Sequence, residues 1–288
     1  MDYKTFVKAV RNLPTPSQVL LRIESVLQNP DVTASDLAEV IRLDPAITSK
    51  VLRLANSAHI GFSRTVSSLQ NAIVLLGLEK VHSLVLASEL LNSVDVKESL
   101  LFSLDKFWLH SVTTALIAES IARHLRRSIQ LDENEVFIAA LLHDVGKLVL
   151  AQLLPDALHE AYSKSIQKEV PYWKGEDPEL CHTNAGKYLA EHWSFPPVLY
   201  SAINNHHEPQ SAGAHSMVVS IIHIADVTAH MIGRPVIDDE IPPVISNFAL
   251  ELVALSPEQF RLIAVRAIDD KKKIDSLLEM FSISIVNS

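Results

Sequence analysis

The chain has 288 residues, with 25 Lys and Arg against 34 Asp and Glu and a formal net charge of −9. At 48% hydrophobic and 20% charged residues it is too apolar for a disordered polypeptide, and its acidic balance lacks the basic footprint of a nucleic-acid binder. Glycine is scarce, 7 residues against 13 histidines, and neither GxGxxG nor GxxxxGKS/T occurs, which excludes dinucleotide-binding and P-loop folds.

Few glycines and much Leu and Ala predict an all-α protein, and helix starts are readable in chain order. Thr15-Pro16-Ser17-Gln18 has a capping-box pattern, followed by Val19, Leu20, Ile23, Val26 and Leu27 at helical spacing up to Asn29-Pro30. Thr33 opens a second helix and Asp44-Pro45 a third. Residues 66–76 form a fourth with Gly77 as a left-handed C-cap, and 78–91 a fifth. The segment 94–104 reads as a connector. Asp105 opens a long amphipathic helix to about Leu125, and Asp132 opens one running into His143. Further helices are expected near 156–168, 178–192, 196–206 and 214–232. Arg234 to Pro243 reads as a loop, Ser256-Pro257-Glu258-Gln259 repeats the box pattern, and a last helix is expected at 271–281. No run approaches the roughly 18 apolar residues of a membrane span. The lone Cys181 suits a reducing, cytoplasmic compartment. The expected organisation is an N-terminal helical lobe (1–104) packed on a second helical lobe (105–233), then a C-terminal loop and helices (234–288).

Chemistry concentrates on histidine and aspartate. His143-Asp144 in Leu-Leu-His-Asp-Val-Gly-Lys places an imidazole and a carboxylate close enough to share one metal, a donor set suited to Mn, Fe, Zn or Ni. His110 lies on the preceding helix. Asp226 stands on an apolar helix face, where a carboxylate is costly unless paired or ligating. His182, His206 and His207 complete the set. Taken singly, each histidine is as well read as a hydrogen-bonded core residue. Asp226 has the alternative of a bond to a neighbouring helix, Cys181 that of a structural thiol, and Lys147 that of a surface lysine. The other eight histidines read as surface or packing residues.

The order His110, His143-Asp144, Asp226 resembles the H…HD…D pattern of HD-domain metal-dependent phosphohydrolases. His182-Thr-Asn-Ala-Gly186 and His206-His207-Glu208 look like the additional histidines of HD-GYP cyclic dinucleotide phosphodiesterases, although Pro209 to Gly213 contains no GYP-type motif. Leu13-Pro14-Thr15-Pro16, Asp44-Pro45-Ala46, Leu54-Ala55-Asn56-Ser57-Ala58 and Leu75-Leu76-Gly77-Leu78 are similar to the HDOD domain, and together the resemblance covers residues 12–232. It implies an all-α bacterial signalling module with an HD-like lobe. One or two divalent ions (Fe, Mn, Ni or Zn) would be held by His110, His143, Asp144, His182, His206, His207 and Asp226. Asp144 would bridge two metals.

Two functions follow from this resemblance. In the first, the module is regulatory and binds a signalling partner, a small phosphate-containing ligand or a second copy of itself, without membrane or nucleic acid. In the alternative it is a metal-dependent phosphohydrolase acting on a nucleotide or cyclic dinucleotide. There Asp144 and Lys147 are the catalytic residues, Lys147 neutralising a phosphate oxygen as charge accumulates.

Overall fold

The computed structural model describes residues 2–14, 16–56, 66–93, 101–125, 131–238, 240–269, 274, 277 and 278. Among these there is no strand, and the chain is all-α. The helices are α1 (Tyr3–Arg11), α2 (Gln18–Leu27), α3 (Ala34–Ile41), α4 (Pro45–Ala55), α5 (Leu69–Leu76), α6 (Leu78–Ser93), α7 (Leu104–Leu125) and α8 (Glu133–Leu142). They continue as α9 (Val145–Leu153), α10 (Pro155–Lys168), α11 (Tyr172–Gly175), α12 (His182–His192), α13 (Pro197–Asn205), α14 (Ser216–Met231), α15 (Asn247–Val253) and α16 (Pro257–Asp269).

The chain divides into two compact units, Pro14–Ser93 with Asp270–Ser288, and Met1–Leu13 with Val94–Asp269. These boundaries differ from the expected ones at both ends. Helix α1 joins the larger unit because Phe6 and Val10 are buried on α9 and α12, and Tyr3 pairs with Tyr188. Residues 101–104, 234–238 and 240–269 also fall in that unit.

In the smaller unit the caps follow the sequence closely. Thr33 and Asp36 form a reciprocal capping box, and the Asp44 carboxylate accepts from the N–H groups of Ala46 and Ile47 ahead of Pro45. Helix α2 starts two residues later than expected, with Ser17 as its cap accepting from Leu20 N–H. Thr15, Ser57 and Ala58 lie outside the described residues. Asn56 holds both backbone groups of Val66, donating to its carbonyl at 2.7 Å and accepting its N–H at 2.6 Å. Gly77 ends α5 at positive φ but with an extended ψ of 149°, so it is not the left-handed cap expected. The last expected helix falls largely outside the described residues.

In the larger unit α7 is buried nearly all round from Phe107 to Ala122, as befits a central helix. It packs on α8, α14 and α16. The run Glu133–Leu153 is long and apolar enough to cross a membrane, but 89% of its 18-residue apolar stretch is buried inside the protein against neighbouring helices. It is also broken. Helix α8 stops at Leu142 and α9 begins at Val145, which leaves His143 and Asp144 at the joint. Opposite that joint α9 crosses α12 with backbone against backbone. A Cβ on Gly146 would lie 1.8 Å from the His182 carbonyl oxygen and 2.6 Å from Gly186 N. Only glycine fits there.

Candidate metal centre

All seven expected ligands meet in the larger unit. His110 comes from α7, His143 and Asp144 from the α8–α9 joint, His182 from the first residue of α12, His206 and His207 from the end of α13, and Asp226 from α14. Six are at most 1% exposed, and His207 is half-buried. The donor atoms of His110, His143 and Asp144 lie within 4.8 Å of one another, as do those of His182, His206 and His207.

The hydrogen bonds fix which nitrogen points inward. Nδ1 of His110 donates to the Arg234 carbonyl at 2.7 Å, Nδ1 of His143 to Ala140 at 2.6 Å, and Nδ1 of His206 to Ala202 at 3.1 Å. Nδ1 of His182 donates to Glu176 Oε2 at 2.6 Å. Carbonyls and carboxylates only accept, so each Nδ1 carries the proton and each Nε2 presents a lone pair. Those lone pairs face carboxylate oxygens and one another. His110 Nε2 lies 3.2 Å from Asp226 Oδ1, His182 Nε2 3.4 Å from Asp144 Oδ1, and His182 Nε2 3.3 Å from His206 Nε2. Asp144 Oδ1, both Asp226 oxygens and Nε2 of His110 and His143 are buried without a hydrogen-bond partner. Converging buried acceptors repel unless a cation lies among them. Imidazoles oriented through Nδ1 are the usual surroundings of a metal. The residues therefore fit a divalent ion.

Asp144 sits between two half-sites. Its Oδ2 faces His143 at 3.5 Å and His110 at 3.7 Å, and its Oδ1 faces His182 and His206 at 3.4 and 3.5 Å. Burial opposes its ionisation, but Lys147 foremost, with His143, holds the carboxyl well below its ordinary value. Lys147 is not a surface lysine. It is 3% exposed, its Nζ lies 2.7 Å from Asp144 Oδ2, and it sits 5.5 Å from the Tyr172 ring centroid. Burial pushes the His143 imidazole down to about 3, keeping it neutral as a ligand must be. Burial likewise raises the Cys181 thiol, and Cys181 Sγ lies 3.2 Å from Thr183 Oγ1, so it has the surroundings of an inert thiol.

Several residues around the centre were not singled out by sequence. His230, expected at the surface or in packing, is 9% exposed, with Nδ1 3.1 Å from Asp226 Oδ1 and Nε2 2.9 Å from Glu240 Oε1. The spacing Asp226 to His230 is one helical turn and was legible; Glu240 returns from a loop. His223 is also buried and donates through Nδ1 to the His206 carbonyl at 2.8 Å. Glu176 follows α11, and Trp173 in that helix stacks on His207 with centroids 4.9 Å apart and planes 8° from parallel.

The HDOD domain family model matches residues 13–209. The chain belongs to the HDOD domain family. Among solved structures it is similar to an HDOD domain protein of unknown function from Geobacter sulfurreducens, at 22% identity and TM-score 0.73, over 97% of this chain and 99% of that one. A candidate phosphohydrolase from Shewanella amazonensis SB2B gives 24% identity and TM-score 0.73, over 96% of this chain and 97% of that one. Likeness at these identities shows the shared fold. An uncharacterized protein of Treponema pallidum is 23% identical over 83% of this chain, and this chain spans only 46% of that protein's length. The HDOD match ends before Asp226 and His230.

Proposed function

We propose that this HDOD protein is a cytoplasmic regulatory module of a signal-transduction system, and that its HD-like unit holds divalent transition metal (Fe, Mn, Ni or Zn) as a structural or sensory element. It acts by binding a signalling partner or a small phosphate-bearing ligand. The observation that carries this reading is burial: six of the seven ligand residues are at most 1% exposed. Structural metal sites are closed by protein, whereas catalytic ones keep a coordination position open to substrate.

A phosphohydrolase is the second reading, favoured by the complete ligand set and by the position of Asp144 between its halves. A divalent ion in such a site polarises a phosphate ester and acidifies water. In that reading Asp144 and Lys147 are catalytic, Lys147 leaving Asp144 to meet a phosphate oxygen.

The deciding experiment loads the whole protein with Mn(II) or Fe(II), measures bound metal, and assays phosphomonoesters, phosphodiesters and cyclic dinucleotides. Retained metal without turnover is expected. Turnover that disappears in His143→Ala and Asp144→Ala replaces the regulatory reading with the hydrolase.

A further inference from the structure

A cavity of about 460 Å³ lies between α7 and α16 of the larger unit, within the roughly 300–1,000 Å³ typical of small-molecule sites. Helix α7 lines it with Ser120, Arg123 and His124, and α16 with Gln259, Leu262, Ile263 and Arg266. Each set follows the three- and four-residue spacing that places side chains on one helix face. The cavity is remote from the metal centre: Arg123 follows His110 on α7 by roughly 20 Å of helix.

The polar part of this lining consists of donors. The cap of α16 orients the Gln259 amide. Its Oε1 accepts the Ser256 N–H at 2.7 Å, so it is the amide nitrogen that donates to His124 Nε2 at 2.8 Å. His124 Nε2 is therefore an acceptor, and the imidazole proton stands on Nδ1. The Arg123 guanidinium is fixed by two carboxylates, Nε 2.9 Å from Glu133 Oε2 and Nη2 3.4 Å from Glu119 Oε1. Its Nη1 has no partner among the described residues. Arg266 is exposed and pairs with no described carboxylate. Among the described residues no Asp or Glu lines the cavity.

Two guanidiniums with unshared N–H groups, a hydroxyl and an imidazole N–H match an oxyanion. A phosphate monoester carries nearly two charges at neutral pH, one for each arginine, where a carboxylate carries one. The rest of the lining is apolar, with Ile263 buried and Leu262 51% exposed. The arginine planes also stack on flat rings. Such a site fits a molecule with a phosphate at one end and a flat ring at the other.

We propose that this cavity binds a nucleoside monophosphate, its phosphate held by Arg266 and Arg123 Nη1 and its base set against Leu262 and Ile263. This rests on the regulatory reading above and gives its phosphate-bearing ligand a class and a place.

The test titrates AMP and GMP into the full-length, Mn(II)-loaded protein by calorimetry, with inorganic phosphate, adenosine and guanosine as the separate halves. At least one nucleotide should bind, and more tightly than either of its halves. Arg266→Ala should weaken that binding by about tenfold or more, and Arg266→Lys should fall between it and the wild type. Arg266 is exposed and unpaired, so neither variant disturbs folding. His143→Ala should bind the nucleotide as the wild type does. Absence of binding by both nucleotides, a half that binds as tightly as the whole, or an affinity unchanged in Arg266→Ala would overturn the proposal. Binding lost in His143→Ala and kept in Arg266→Ala would place the nucleotide at the metal centre, sinking this proposal and leaving a phosphate-binding regulator. Hydrolysis of the nucleotide that stops in His143→Ala, with binding still weakened in Arg266→Ala, would sink the regulatory reading and leave the cavity assigned.

Discussion

Lys147 Nζ and Asp144 Oδ2 lie 2.7 Å apart, three residues apart in sequence, with side chains 4% and 1% exposed. The pair is isolated from water, so its partners depend on each other. Lys147→Met leaves a buried carboxylate beside neutral imidazoles. Breaking a buried pair in this way costs about 3–5 kcal/mol. The variant should lose that much stability in urea denaturation of metal-free protein. Saturating Zn(II) should restore part of it, since an ion that binds only the folded state stabilises it. Equal losses with and without metal would mean that Lys147 has no bearing on the centre.

Glu176 is the only carboxylate that orients a ligand imidazole through Nδ1 among the described residues, accepting from His182 Nδ1 and from its backbone N–H at 3.0 Å. Glu176→Ala should weaken metal binding by roughly 10–100-fold, measured by competition with a chelator. Glu176→Gln keeps an acceptor and should fall between it and the wild type. An unchanged affinity in both variants would place Glu176 outside the metal's surroundings.

Trp173 lies flat on His207, so its fluorescence should report on the centre. Titration with paramagnetic Mn(II) or Ni(II) should quench emission, and Trp173→Phe should remove the quenched component. Quenching that persists in that variant would assign it to Trp108 or Trp193.

In the smaller unit, burial pushes the His82 imidazole down to about 4, and its Nε2 has no hydrogen-bond partner. The unfolded chain, with His near 6.5, therefore binds a proton that the folded chain refuses. Stability from this group is complete above about pH 6.5 and falls as pH drops towards about 4, by up to about 1.4 kcal/mol per unit. His82→Leu should flatten part of the decline between pH 6.5 and 4 in denaturation curves of metal-free protein. The same slope in both proteins would rule His82 out as its source.

The caps at Thr33, Asp44 and Ser256 were legible because a cap is a local bond: Ser256 and Gln259 exchange side-chain and backbone bonds over three residues, as their spacing implies. The cluster of histidines and aspartates was legible as a pattern of residue types. Its surroundings were not. Glu240 reaches His230 only through the path of the loop after α14, and Glu176 reaches His182 through the turn after α11; neither has a period or a motif. Helix α1 was missed although Asp2 caps it and Phe6 and Val10 share one face, because it lacks the Pro or capping-box signal that marked α2, α3 and α4. Lys147 could be read from sequence as exposed or catalytic, since a lysine one turn after a histidine does not reveal its burial.

Gly146→Ala should be far more damaging than an average glycine substitution in a helix. The added methyl meets backbone on α12, which cannot rotate away, so the cost should exceed the roughly 1–3 kcal/mol of ordinary overpacking. Metal retention should fall with it, because His182 opens α12. A variant with wild-type stability and metal content would show that the crossing can widen.

That crossing also acts as a caliper. The spacing between the His143-Asp144 joint and His182 is set by main chain resting on main chain at Gly146 and Gly186, and no side chain in the centre takes part. Ligands could be exchanged one at a time without the frame closing up or drifting apart. A chain stripped of one of these histidines should keep the α9–α12 spacing, because the two glycines and not the imidazoles set it.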